Sequence, residues 1–235
     1  MRTGIVIVFL GPPGAGKGTQ AARLSASLGV PAISTGEMLR QVAQSGSLLG
    51  NKIQKLMASG QLVNDDLINE VVERRLQQSD CDRGCILDGY PRTASQARFL
   101  DALLRRLDLP EPVVFDFHLT ADHVIQRLSH RRQCPQCGQI YSIRFDAAEA
   151  HCDRDGALLI QRADDNPAAI RHRLNTYRAT FADLVAYYRT RKYHQVDAAS
   201  PVDEIADRVL ACMSRPSLSV PVLAAGSSVR QSIRV

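Results

Sequence analysis

The stretch Ile5–Thr19, IVIVFLGPPGAGKGT, sets a short apolar run directly against a glycine-rich turn and a lysine. Ile5–Leu10 is continuous, β-branched and of strand length, which predicts a strand buried on both faces. From about Lys17 to Leu28 the apolar residues fall at helical spacing, and Gly29 marks the stop. Strand, loop and helix therefore form the first unit. Glycines at 11, 14, 16 and 18 let backbone N–H groups turn inward around phosphate oxygens at the positive end of the helix, and Lys17 reaches the β and γ phosphates. The usual pattern places Ser or Thr directly after this lysine. Here Gly18 intervenes and the hydroxyl belongs to Thr19, so magnesium is expected to be held partly through water. A phosphate loop implies a nucleotide triphosphate and leaves GTPase, motor, transporter and kinase open.

Working outward, apolar runs at Cys85–Leu87, Val113–Phe117 and Tyr193–Val196 alternate with helical stretches. That rhythm predicts an α/β fold with a parallel sheet covered by helices on both faces. Thr93 with Gln96, after Pro91, reads as a capping box; Asn166 followed by Pro167 reads as an N-cap and N1 pair. Cys134–Gly156 breaks the rhythm with paired cysteines, turn residues and short alternating runs such as Ile140–Phe145, and reads as a small β-rich insertion. Beyond Arg215 the composition turns to Pro, Ser, Gly and small apolar residues, and 216–235 is expected to be a flexible tail. No internal repeat is present.

The 235 residues, 45% hydrophobic and 23% charged, suffice for one sizeable core with an inserted subdomain. Ile5–Leu10 is too short for a signal peptide's apolar region or a membrane span, so a cytoplasmic location is expected, with no membrane partner. The net charge of +5 comes from 29 basic residues of which only four are lysine, scattered without basic runs. Arginine suits bidentate contact with phosphate, although surface decoration accounts for many of them.

Cys134 and Cys137 form C-x-x-C; Cys152 and Asp155 repeat that spacing, and Gly138 and Gly156 follow the two pairs. Three thiolates and a carboxylate make a closed, four-coordinate structural site that fits zinc best. A metal-free, hydrogen-bonded turn is the alternative, and a redox disulfide is disfavoured for a cytoplasmic protein. Cys81, Cys85 and Cys212 lack a paired pattern, and Cys85 reads as core filling.

The phosphate loop is followed, in order, by STGEMLR (Ser34–Arg40), GQLV (Gly60–Val63), LDGYPRT (Leu87–Thr93) and RADD (Arg162–Asp165). In this combination the sequence closely resembles adenylate kinases, from about Ile5 to Val209. The resemblance implies a phosphate-loop kinase with a five-stranded parallel sheet. Its core would be 1–33, 64–130 and 164–215, with an AMP-binding arm at 34–63 and a lid at 131–163, the zinc-type lid found in some members. It implies reversible transfer of the terminal phosphoryl group from Mg-ATP to AMP, giving two ADP, by a monomer with ATP, AMP and ADP as its partners.

Residue by residue, the resemblance assigns Gly14, Ala15, Gly16, Lys17, Gly18, Thr19, Arg131, Ile140, Tyr141 and Ser200 to ATP. It assigns Thr35, Arg40, Gln61, Leu62, Val63, Gly89, Tyr90, Pro91, Arg92, Gln96, Arg162 and Arg173 to AMP, with Arg40 and Arg92 on the acceptor phosphate and Gln96 on the adenine edge. Lys17, Arg92, Arg127, Arg131, Arg162 and Arg173 are the catalytic set. Thr19 and Asp88 would orient magnesium-bound water, and Cys134, Cys137, Cys152 and Asp155 would hold zinc. Glu37 stands where an aspartate is common, and Ala198 of VDAAS where a glycine is usual, which loosens the expectation for the donor base. The alternatives are a kinase for another monophosphate or one using GTP. More remote are a nucleotide switch, for which no N-K-x-D string is present, and a nucleic-acid-binding zinc ribbon, which leaves Lys17, LDGYPRT and RADD unexplained.

Overall fold

The computed structural model describes residues 4–143 and 150–214. β1 (Ile5–Leu10) and α1 (Lys17–Leu28) take the bounds the sequence predicts, and α1 ends on Gly29 in the left-handed conformation, φ 64°. β2 (Ala32–Ser34), α2 (Thr35–Ala43), α3 (Leu48–Ala58) and α4 (Asp65–Leu76) follow. Then come a 3₁₀ turn at Ser79–Cys81, β3 (Gly84–Asp88), α5 (Ala94–Arg106), β4 (Val113–His118) and α6 (Ala121–His130). β5 (Arg131–Gln133) and β6 (Ile140–Ser142) form an antiparallel pair, and a 3₁₀ turn at Ala163–Asp165 leads into α7 (Pro167–Tyr188), β7 (Tyr193–Asp197) and α8 (Val202–Ser214). Phe145 and the segment 216–235 lie outside the described residues.

The main sheet is five-stranded and parallel, in the order β2-β3-β1-β4-β7. β1 sits at its centre because its side chains bury on both faces. Val6, Val8 and Leu10 join the cluster under α4, α5 and α7, whereas Ile7 and Phe9 join the one under α1 and α8. Phe9 meets Phe115 and Phe117 edge-on, with centroids 6.1 and 5.0 Å apart, locking β1 against β4. From β1 the chain first builds leftward to β2 and β3, then crosses to β4 and β7. A ligand crevice is expected outside the carboxyl ends of such strands, at the point where the order reverses.

Cap chemistry marks the helix starts. Asn166 accepts from the Ala169 N–H at 2.9 Å, with Pro167 at the first position of α7. Thr93 caps α5 by accepting from the Gln96 N–H at 3.1 Å. The expected return bond of the capping box is replaced: Gln96 Oε1 accepts from the Arg92 N–H, one residue before the cap. Cys85 is fully buried, as the core-filling reading requires.

Candidate functional site

The phosphate loop joins the end of β1 to α1. Gly11, Gly14 and Gly16 have φ of 131°, 76° and 85°, backbone that side chains with a Cβ rarely adopt. Space is equally strict at Gly11, where a Cβ would lie 2.5 Å from the Phe117 carbonyl oxygen. Lys17 arches back over the loop, donating from Nζ to the Gly11 and Pro12 carbonyls at 2.9 and 2.8 Å. Burial lowers its pKa to about 8; Asp88 opposes the shift, and Arg92, Arg173 and Arg131 add to it. A Cβ on Gly18 would stand 3.0 Å from Asp88 Oδ2, so the glycine leaves room for the carboxylate that ends β3.

On the other side of the crevice, Thr35 opens α2 and donates from Oγ1 to the Gly89 carbonyl at 3.0 Å. Arg92 Nε donates to the same carbonyl at 2.8 Å. Arg40 is held by Glu37, whose Oε2 accepts from Nε and Nη2 at 3.0 and 2.8 Å. Glutamate in place of the common aspartate thus still pairs within its own helix. Tyr90 and Val63 are buried, Leu62 is half-buried and Gln61 is exposed in the loop from α3 to α4. The Tyr90–Pro91 peptide is cis.

Between these halves lies an arginine cluster with its own counter-charges. Arg131 makes a bidentate pair with Asp165 at 2.7 and 2.6 Å; Arg173 contacts Asp164 Oδ2 at 3.0 Å and Asp165 Oδ1 at 3.2 Å. Burial pulls the Arg162 guanidinium down to about 10, and Arg40 and Arg131 push the same way, so these cations crowd one another. Arg162 Nε donates to Gln133 Oε1 in β5. Arg127 stands apart, donating to the Ala198 carbonyl at 2.9 Å in the loop that also carries Ser200. Asp164 and Asp165, which the motif RADD contains without a role assigned to them, are the counter-charges that hold Arg131 and Arg173. The signal is two adjacent acids one residue beyond Arg162 in the RADD motif.

In the insertion, the two cysteine turns repeat one another. Gly138 N–H bonds the Cys134 carbonyl at 3.1 Å and Gly156 N–H the Cys152 carbonyl at 2.9 Å, both glycines left-handed at φ 74° and 70°. One donor atom from each of Cys134, Cys137, Cys152 and Asp155 lies within 4.8 Å of all the others. Tetrahedral Zn–S bonds of about 2.3 Å imply donor separations of about 3.8 Å. The thiols of Cys137 and Cys152 are 3.5 Å apart, so the donor set fits zinc in both chemistry and scale. Tyr141 turns its hydroxyl to this cluster, 3.3 Å from Cys152 Sγ, and Ile140 is exposed on the adjoining strand.

A family model described as adenylate kinase matches residues 9–193. An adenylate kinase of Anaeromyxobacter dehalogenans is 44% identical over 189 residues, covering 80% of this chain and 88% of the relative. One from Thermosipho melanesiensis is 42% identical over 212 residues, covering 89% and 99%. One from Archaeoglobus fulgidus is 38% identical over 212 residues, covering 89% and 98%.

Proposed function

This chain belongs to the adenylate kinase family, and on that premise we propose how its residues divide the work. The reaction is reversible transfer of the terminal phosphoryl group from Mg-ATP to AMP, giving two ADP. The observation that carries the assignment is the cation cluster: Arg92, Arg131 and Arg173 all act on Lys17 between the phosphate loop and the Thr35–Gly89 turn. Phosphoryl transfer runs through a loose transition state that needs alignment and charge neutralisation more than acid–base chemistry.

Gly14–Thr19 cradle the donor phosphates, with Ile140, Tyr141 and Ser200 at the donor's outer end; Arg127, expected on the transferring group, is assigned there too because it bonds the Ala198 carbonyl. Thr35, Gln61–Val63, Gly89–Arg92 and Gln96 receive AMP, and Arg40 and Arg92 hold its phosphate. Arg131, Arg162 and Arg173 bear on the transferring group, Arg131 and Arg173 exchanging their carboxylate partners, and Arg162 its Gln133 amide oxygen, for phosphate oxygens. Thr19 and Asp88 would hold magnesium through water, and the ion would supply charge to offset the donor phosphates. The arm at 34–63 and the lid at 131–163 close over the two nucleotides and exclude water, which would otherwise accept the phosphoryl group. Cys134, Cys137, Cys152 and Asp155 hold a structural zinc that keeps the lid folded. A cytoplasmic monomer rests on the same family reading, and sedimentation checks the oligomeric state.

The test is ADP formation from Mg-ATP with AMP, CMP, UMP or GMP as acceptor. AMP is the expected acceptor, and Lys17→Ala and Arg92→Ala are each expected to lose nearly all activity while remaining folded. Near-wild-type turnover by both variants would overturn the site; success with another acceptor and failure with AMP would overturn the substrate.

A further inference from the structure

Gln96 is 2% exposed, and both ends of its amide are engaged inside the protein. The Arg92 backbone N–H donates to Oε1 at 2.7 Å, and Nε2 donates to Asp65 Oδ1 at 2.6 Å. A backbone N–H only donates and a carboxylate only accepts, so these two partners dictate which end of the amide is oxygen. Asp65 is itself fixed. Its Oδ2 accepts from Thr93 Oγ1 at 2.9 Å, while Thr93 Oγ1 accepts from the Gln96 N–H. Asp65 is also the first residue of α4, behind the N-cap Asn64, whose Oδ1 accepts from the Asp66 N–H at 2.7 Å. The carboxylate therefore joins the start of α4 to the start of α5 through the one side chain assigned to the acceptor base.

An amide offers two N–H donors and two lone pairs. With one of each spent on Asp65 and Arg92, one N–H and one lone pair remain for a ligand. Adenine presents an acceptor at N1 and a donor at its 6-amino group, which that pair satisfies. A 6-oxo purine presents the reverse, N1–H and O6, and accommodating it requires the amide to turn over. Turning over would set the Gln96 N–H₂ against the Arg92 N–H and its oxygen against the Asp65 carboxylate. We propose that Asp65 is a specificity-determining positioning residue, which locks the Gln96 amide so that the acceptor site takes a 6-amino purine and rejects a 6-oxo purine. This rests on the reading that places Gln96 at the acceptor base.

IMP is the sharpest probe, because it differs from AMP only at the edge in question. Asp65→Ala, Asp65→Asn and Gln96→Ala are compared with the unaltered chain for kcat and KM with AMP and with IMP, and for thermal stability. Asp65→Ala is expected to lower the AMP-to-IMP ratio of kcat/KM by about tenfold, the loss falling on the KM for AMP more than on kcat. Asp65→Asn is expected to restore most of the ratio, since its Oδ1 can accept from Nε2 while its amide donates to Thr93 Oγ1. A mere staple between two helices predicts otherwise: Asp65→Ala would melt earlier and lose AMP and IMP turnover equally, and that result overturns the proposal. If Asp65→Ala does not fold, Asp65→Ser, too short to reach Nε2, is read on the same ratio with the same two outcomes. Gln96→Ala separates the layers. A raised KM for AMP there, with an unchanged ratio in Asp65→Ala, sinks the proposal alone; an unchanged KM for AMP sinks the reading beneath it.

Discussion

Lys17 carries its charge at a cost set by burial. Its pKa falls from 10.5 to about 8, so the protonated form is disfavoured in the free fold. Below about pH 8 that penalty is fully present. Between about 8 and 10.5 the unfolded chain binds more protons and stability rises with pH, and above 10.5 the penalty is gone. Lys17→Met is accordingly expected to melt higher than the unaltered chain at pH 7, with the gap closing toward pH 10.5. The functional counterpart is a fall in kcat/KM for ATP above about pH 8, as the free enzyme loses the proton that meets the phosphates. The kcat profile should hold to higher pH, because bound phosphates retain the proton. A kcat/KM that is flat from pH 7 to 9.5 would contradict this. Gly84 poses a steric version of the same accounting: its φ is 106° and a Cβ would lie 1.8 Å from the Ile5 carbonyl oxygen. Gly84→Ala is expected to yield no soluble folded protein, where Gly16→Ala, with no atom within 4 Å of the Cβ, carries only the conformational strain.

At the scale of elements, what was legible followed from periodicity and punctuation. Ile5–Leu10 and Lys17–Leu28 emerged with the bounds expected, because a continuous β-branched run and a glycine stop each have one good structural solution. β2 spans only Ala32–Ser34, too short for any period to register, and the sequence offered it only through the family resemblance. The return bond of Gln96 was misread because the capping-box pattern does not see Asp65, 31 residues away, which competes for the same amide. Long-range partners also decide the 3₁₀ turn at Ala163–Asp165, which brings Asp165 between Arg131 at the end of α6 and Arg173 on α7. Asp165 is fully buried in its side chain and serves two cations, so removing its charge strands Arg131 and leaves Arg173 with Asp164 alone. Asp165→Asn is expected to destabilise the free chain by ~3–5 kcal/mol. Saturating ATP and AMP together should recover part of that loss, since phosphates replace the missing anion. Urea unfolding with and without nucleotides measures both numbers; an undiminished midpoint without ligand would show the latch to be idle.

For the whole molecule, the apolar clusters separate the lid from the rest. The two large clusters flank the parallel sheet, whereas the insertion has its own, built on Cys134, Cys152 and Leu159 with Tyr141, Ile143, Ala150 and Ala157 packed against it. Among the described residues, two of its three buried members are thiols of the candidate metal quartet. The described part of this core is small against the chain entropy of the segment it organises, which is the setting in which a bound metal contributes most to folding. The clustering of Cys134, Cys137, Cys152 and Asp155 was legible in their spacing because two local turns supply all four; the arginine–aspartate latch was not, because its partners converge only when α6 and α7 pack. With zinc bound, stripping it is expected to unfold the lid while leaving the sheet and its helices intact. Chelation below the melting point of the core should therefore abolish most ADP formation with little loss of far-ultraviolet helical signal, and zinc should restore it. Calorimetry should then show the core transition unshifted within about 2 °C, since the clusters on the sheet contain none of the lid's buried residues. One equivalent of zinc in the purified chain is the first requirement. A metal-free chain with full activity would show that hydrogen bonds among these four side chains hold the lid unaided.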